Sequence, residues 1–295
     1  MGQRKLGLQL AHFLFGVSLL ILGCDKPAET PSTGPTFITV ASLVPAATDL
    51  IEGMGAGDHL VAISNWDPDR PEYAKLPRVG DYRSIDWEKL SQLRPTVMIT
   101  QFREDKKPGG LEEKSRQLNI TLVNVQNNTL AELYSTLDQL GNALQLRERS
   151  DETKRKLKDQ IDAVGKSVAN RPRVKTLIVR TASGMDVVGG RNFMDELLTL
   201  AGGENVLPSG ENSFPTIDRE LLLKLDPEVI LQLLPGSSPQ VVEQAQAFWK
   251  TIPSLSAVRN NRIHILTQDY LLLPGSNVGK LAELFRDKLH PEVKP

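Results

Sequence analysis

Tyr82-x-x-Ile85-Asp86-x-Glu88-x-Leu90-x-x-Leu93-x-Pro95-x-Val97-x-Ile99 returns further along the chain as Phe214-x-x-Ile217-Asp218-x-Glu220-x-Leu222-x-x-Leu225-x-Pro227-x-Val229-x-Leu231. Every position is displaced by the same 132 residues, as from Glu88 to Glu220. Solenoid units repeat every ~20–50 residues, whereas a period of this length accommodates a compact folding unit. The chain therefore reads as two related lobes, and the groove between two lobes is a preferred ligand site.

Working outward, strand-like runs alternate with helical ones. Phe37–Val40, Leu60–Ile63, Val97–Thr100 and Thr121–Val125 read as strands in the first half, with Ser42–Pro45 a turn into a helix over Ala46–Met54. Val174–Val179, Val229–Leu233 and Arg262–Leu266 read as strands in the second, and Gly202-Gly203 closes a helix begun at Phe193. Alternation of this kind predicts mainly parallel sheet with helices on its faces. Between the halves, Leu146 to about Ala169 is highly charged and places Leu157, Ile161, Val164 and Val168 on one helical stripe, ended by Asn170-Arg171-Pro172. The expected architecture is α/β, with two Rossmann-like lobes at 37–145 and 172–295, a single long backbone helix within 146–171, and a ligand cleft between the lobes.

The N-terminus carries a different signal. Arg4 and Lys5 precede an apolar stretch from Leu6 to Leu22, broken by Gln9 and His12, that ends Ile21-Leu22-Gly23-Cys24. A basic start, an apolar middle and a small residue before the cut are the parts of a secretory signal over 1–23, and the stretch is short for a membrane span of about 20 predominantly apolar residues. Ile-Leu-Gly-Cys resembles a bacterial lipobox, which implies that the Cys24 thiol is acylated. Asp25–Thr36 is rich in Pro, Thr, Ser and Gly, so 24–36 reads as a flexible tether. Asp25 directly after the cysteine resembles the signal that retains lipoproteins on the inner membrane of some bacteria.

Cys24 is the only cysteine, which excludes disulfides within the chain and thiolate metal sites. Removal of 1–23 leaves 33 basic against 36 acidic residues, a balance that argues against nucleic acid as a partner. His59, His264 and His290 stand far apart without a carboxylate or histidine arrangement around them, so no metal site is expected. The chain has no Gly-x-Ser-x-Gly, His-Glu-x-x-His or Gly-x-x-x-x-Gly-Lys motif, and Gly189-Gly190 reads as a turn; an enzyme is not expected.

Ser42-Leu43-Val44-Pro45-Ala46-Ala47-Thr48, Val61-Ala62-Ile63-Ser64-Asn65-Trp66, Leu76-Pro77-Arg78-Val79-Gly80 and Leu93-x-Pro95-x-Val97 resemble the helical-backbone class of substrate-binding proteins of ABC importers. The resemblance runs from about Phe37 to Leu289 and is nearest in pattern to periplasmic cobalamin-binding proteins. It implies a monomeric, extracytoplasmic solute-binding protein, held to the membrane by the lipid on Cys24, that delivers a corrinoid such as cobalamin to a permease dimer driven by an ATPase. A ferric siderophore or haem is the alternative cargo, and sensing or scaffolding without transport the alternative role. No resident cofactor is implied.

Candidate site residues follow from both readings. Asp86 and Asp218 suit helix N-caps, which places Glu88 and Glu220 in the first turns of equivalent helices, where the dipole favours a carboxylate. The resemblance implies that these two glutamates dock onto arginine pockets of the permease. Tyr82 and Phe214 precede those helices at matching positions; taken singly each suits an ordinary core, but a flat ligand gains contact from aromatic faces. The resemblance extends the ligand set to Trp66 and to the pair Asp269-Tyr270. Where related proteins can carry an arginine shortly after that pair, this chain reads Leu271-Leu272-Leu273-Pro274-Gly275. For an anionic siderophore the cationic candidates are Arg83, Arg103 and Arg180, and for haem iron Tyr82, Tyr270 or His264.

Overall fold

The computed structural model describes residues 37–81, 84–207, 210 and 212–293. The secretory signal, Cys24, the tether, Tyr82 and Arg83 lie outside the described residues. The N-terminal lobe runs β1 (Val40–Ser42), α1 (Pro45–Gly53), β2 (Leu60–Ala62), α2 (Trp87–Leu93), β3 (Val97–Thr100), α3 (Leu111–Gln117), β4 (Thr121–Asn124) and α4 (Leu130–Ala143). The long helix α5 (Arg147–Val168) follows. The C-terminal lobe runs β5 (Val174–Val179), α6 (Phe193–Leu200), β6 (Gly203–Asn205), α7 (Arg219–Leu225), β7 (Val229–Leu233), α8 (Pro239–Lys250), α9 (Ser256–Arg259), β8 (Ile263–Leu266) and α10 (Val278–Leu289).

Both sheets are four-stranded and parallel, ordered β2-β1-β3-β4 and β6-β5-β7-β8. The expected boundaries shift by a residue at α1, β4 and β8, and three further adjustments have a visible cause. β1 begins at Val40 rather than Phe37, which is exposed and stacks on His59, and the strand takes in Ser42. Ile63 leaves β2 to bridge Arg78. Gly202, at φ +88, does end α6, but Gly203 already starts β6 and pairs with Val174.

The 132-residue repeat is a copied strand-feeding unit. α2 and α7 are both seven residues long, capped by Asp86 on Lys89 N–H at 3.0 Å and by Asp218 on Leu221 N–H at 2.8 Å. Each buries one leucine, Leu90 or Leu222, and each ends on a left-handed residue, Arg94 or Asp226. β3 and β7 then begin at Val97 and Val229.

Strand side chains alternate between two faces, and the faces have different fates. Ala41 and Met98 pack with Leu90, Phe102 and Leu111 in a core private to the first lobe. Leu177, Val179 and Ile230 pack with Leu222 and Trp249 in its counterpart in the second. The opposite faces, including Val40, Ile99, Ile178 and Leu231, join one cluster shared by both lobes. Leu157, Ile161 and Val164 of α5 belong to that shared cluster, between Leu137 and Leu140 of α4 and Leu197, Leu281 and Phe285 of α6 and α10.

Close approach at these crossings depends on small residues. A Cβ on Gly141 would strike Ser150 of α5, and one on Gly279 of α10 would strike Gln160. At about 1.5 Å per residue, α5 spans roughly 33 Å, long enough to run behind both lobes. Because its stripe serves one core rather than two, Ile161→Ala is expected to destabilise both lobes together. The expected cost is about 2–5 kcal/mol, read by calorimetry as a single shifted transition; two separated transitions would contradict the shared core.

Candidate functional site

In each sheet the strand order reverses beside the first strand, β1 or β5, and ligands of open parallel sheets bind outside the carboxyl ends at such a switch point. A cleft of about 360 Å³ occupies that place. From the first lobe it is lined by Val44, Pro45 and Ala46 after β1, Gln101 after β3, and Asn127 and Asn128 after β4. From the second it is lined by Arg180 after β5, by Asn192, Phe193 and Met194 at the start of α6, by Ser213 and Phe214, and by Leu272, Leu273 and Pro274 after β8.

The lining is largely apolar, and its polar members are mostly side-chain amides. Asn192 is committed to structure: its Oδ1 accepts from Met194 and Asp195 N–H and so caps α6, while its Nδ2 donates to the Gly189 carbonyl. Asn127 is not. It is 3% exposed, and neither its Oδ1 nor its Nδ2 has a hydrogen-bond partner. Arg180 lies over the Phe214 ring, its Cζ 4.2 Å from the centroid, and its buried Nε has no acceptor. α1 has no side-chain cap at Val44, so the positive end of its dipole contributes to the same wall.

Beside the cleft the lobes are joined by directed polar contacts. Phe193 N–H donates to the Asn128 carbonyl at 2.7 Å, and Leu130 N–H, in the first turn of α4, donates to the Glu196 carboxylate at 2.7 Å. On another side, Arg70 binds Asp49 of α1 at 2.7 Å and Asp269 at 3.2 Å. Asp49 also accepts from Ser276 N–H and Oγ, each at 2.7 Å. Burial opposes the charge on Arg70, but the hydrogen bond and charge of Asp49 outweigh it and raise its pKa.

The periplasmic binding protein family matches residues 40–270. This chain belongs to that family. Among its relatives is a vitamin B12-binding protein of Vibrio campbellii, 26% identical over 238 residues that cover 80% of this chain and 84% of the relative. Another, from Pectobacterium carotovorum subsp. carotovorum, is 24% identical over 213 residues, covering 72% and 75%. The fold matches the solved vitamin B12 binding protein BtuF of Vibrio cholerae with a TM-score of 0.71, 23% identity and coverage of 87% of this chain and 98% of that one. It matches the heme binding protein HutB of the same organism equally well, with a TM-score of 0.72, 22% identity and coverage of 87% and 100%. The two α/β lobes on one backbone helix are thus those of this family, and membership makes the chain a solute-binding component of the ABC-transporter class that works outside the cytoplasm. Among the described residues no helix is long and apolar enough to cross a membrane, and no group of three or more His, Asp and Glu is gathered to hold a metal ion.

Within this binding protein the expected site residues are dispersed. Phe214 lines the cleft and is 39% exposed. Trp66 is 66% exposed, with its Nε1 donating to Asp81 at 2.9 Å, and does not line the cleft. Asp269 is engaged by Arg70, and the half-buried Tyr270 packs against the shared core, its phenol pKa raised by burial. Glu88 and Glu220 are both exposed in the first turns of α2 and α7. Of the arginines, Arg103 pairs with Asp105, while Arg180 reaches the cleft. Gln101, Asn127 and Asn128 carry no sequence signal beyond their place after predicted strands, whereas the wall Leu272–Pro274 lies in the stretch that follows the expected pair Asp269-Tyr270.

Asp67, close to the start of α1, is a second buried polar feature. Its Oδ2 accepts from Ser64 N–H at 2.7 Å and from Thr48 Oγ1 at 3.4 Å, and its Oδ1 has no partner. Burial pushes its carboxyl up to about 6, against those hydrogen bonds and the charges of Arg78 and Arg70. Unfolded, the group titrates near 3.8. Between these values the folded chain retains a proton that the unfolded chain has released, so stability falls as pH rises through the window, by on the order of 2–3 kcal/mol. Asp67→Asn is expected to match the parent at pH about 4 and to exceed it at pH about 7 by that amount. Urea unfolding at the two pH values checks it; an unchanged pH slope would show that Asp67 does not carry the effect.

Proposed function

We propose that this chain captures a corrinoid outside the cytoplasm and delivers it to the permease dimer of an ABC importer. The observation that carries the reading is the chemistry of the cleft: apolar walls from both lobes with Gln101, Asn127 and Asn128 among them and one unpaired arginine. A corrin ring is a flat apolar body fringed by amide side chains, and neutral amides pair well with amides once water is excluded. Phe214 supplies an aromatic face to the ring. The relatives named as vitamin B12-binding proteins support the same cargo.

Haem or a ferric siderophore is the second reading, favoured by Arg180 and by the fold shared with a heme binding protein. Among the described cleft-lining residues none is His or Tyr; Met194 is the one residue there of a type that ligates haem iron, and it is buried in the shared core. A tri-anionic catecholate calls for several convergent cations, and Arg180 is the only one among the described lining residues.

The exposed Glu88 and Glu220 provide matched charges for a two-fold permease, where complementary charge sets orientation and on-rate. Trp66 adds to the ligand set, with Tyr82 and Arg83 kept as candidates from the sequence outside the described residues, and Asp269-Tyr270 support it through the contacts with Arg70 and the core. The segment 1–23 directs export, acylated Cys24 anchors the protein, inner membrane favoured, and 24–36 tethers a monomeric body.

Calorimetric titration with cyanocobalamin is expected to give saturable submicromolar binding, and Phe214→Ala to raise the Kd severalfold. Silence towards cyanocobalamin with binding of haem or a ferric siderophore would transfer the function to the second reading. Glu88→Ala with Glu220→Ala is expected to leave that Kd unchanged while abolishing association with permease in proteoliposomes; loss of ligand binding in the double variant would contradict the docking assignment.

A further inference from the structure

Arg180 is the one arginine among the described residues with a buried nitrogen left without a hydrogen-bond partner. Arg70, Arg78, Arg103 and Arg286 each have a carboxylate partner. Arg180 enters no ion pair and no side-chain hydrogen bond among the described residues; its guanidinium lies over the face of Phe214. Its backbone is fixed, since its N–H donates to the Asp186 carbonyl at 2.9 Å directly after β5. The Asp186 carboxylate is occupied by Thr216 Oγ1 at 2.7 Å. A half-buried guanidinium with no counter-charge among the described residues has lost hydration and gained little in return from them, and an oxyanion offered to its planar fork is bound by charge-assisted hydrogen bonds.

Asn127 is the independent second observation. Its side-chain amide is buried at the cleft with both donor and acceptor unused. An unpaired buried amide is costly, and its cheapest partner is another amide, which meets donor with acceptor and acceptor with donor. The uncapped start of α1 adds positive potential to the same wall.

We propose that Arg180 and Asn127 form an oxyanion-and-amide subsite that selects corrinoids bearing a negative group at the ring edge, a phosphodiester or a free carboxylate, over corrinoids neutral there. The proposal rests on the corrinoid reading above. Arg180 holds the anion, Phe214 fixes the guanidinium from behind, and Asn127 reads a neighbouring amide side chain of the corrin. The subsite thus turns a cleft of general shape into one with a charge preference.

Three ligands in their dicyano forms separate the terms: cobalamin, with a phosphodiester; cobyric acid, with a carboxylate at the same edge; and cobinamide, with a neutral alcohol there. Titrated against the full chain, the first two are expected to bind at least about tenfold more tightly than cobinamide, with the preference shrinking as salt is raised. Preference for one anion over the other identifies which oxyanion the fork fits, and either result supports the subsite. Arg180→Gln is expected to bring all three within about twofold of one another, and Arg180→Lys to keep part of the preference, because charge remains and the fork does not. Asn127→Ala is expected to weaken all three alike by about fivefold, since the amides are common to them. Equal binding of all three by the parent chain, or an equal loss of all three in Arg180→Gln, overturns the subsite while leaving the corrinoid reading intact. Silence towards all three overturns both. The ligand series on the parent chain decides the matter even if a variant fails to fold.

Discussion

The burial of one stripe of α5 in a core common to both lobes is the constraint on which the rest of this structure depends. Leu157, Ile161, Val164 and Val168 are all buried, while the remaining faces of the helix are strongly charged. Each such side chain contributes about 1.5–3 kcal/mol by leaving water, and here that gain is shared by α4 on one side and α6 and α10 on the other. Swinging one lobe away would open the common core rather than bend a linker. The fold is therefore built for small adjustments about a fixed back.

With the back fixed, the cleft is set by what lies in front of it. Phe193 N–H to Asn128 and Leu130 N–H to Glu196 place the starts of α6 and α4 against each other. The Asp49–Arg70–Asp269 chain, with Ser276, ties α1 to the segment that follows β8. A Cβ on Gly275 would collide with the Asp49 carboxylate, so this tie depends on backbone closeness as much as on charge. The same tie positions Leu272–Pro274, two residues before Ser276, as the apolar wall of the cleft. Directed bonds of this kind lose most of their strength when bent or stretched, so they resist sliding of the lobes while the shared core resists their separation.

The architecture was legible because the repeat encodes physics at every copied position. Asp86 and Asp218 cap, Leu90 and Leu222 fill the private cores, and Val97 and Val229 start strands that continue as apolar runs. β6 escaped because Gly203-Glu204-Asn205 has no strand preference of its own; it is extended by pairing with β5. Phe37 and Ile38 have the composition of strand yet precede the ladder, Phe37 resting on His59 instead. At the site, Phe214 and Arg180 were visible as an aromatic before a capped helix and a cation after a strand. Asn127 was not, since an asparagine in a loop usually belongs to a turn, and only the fold reveals that its amide is buried without a partner. The engagement of Asp269 by Arg70 was equally hidden, as 199 residues separate them in sequence.

The distribution of the repeat itself bears on the proposed division of labour. The features copied at a spacing of 132 residues include the capped helices and their first-turn glutamates Glu88 and Glu220, which are exposed. Those are the features that a two-fold partner would read, since a symmetric surface is met best by a symmetric pair. Most features of the cleft are not copied; Phe214, matched by Tyr82 in the sequence repeat, is the exception. In the sheet register Arg180 stands where the first lobe has Val44, since Thr176 lies beside Val229 as Val40 lies beside Val97, and among the described residues the Phe214 ring faces its guanidinium. A ligand with one charged edge is asymmetric, and an asymmetric ligand calls for a site in which the lobes contribute different chemistry: apolar turn and amides from the first, cation and aromatic face from the second. On this view duplication supplied the frame, the docking rims and the aromatic at Phe214, and the departures from the repeat, Arg180 and the amides of the first lobe, give the cleft its selectivity.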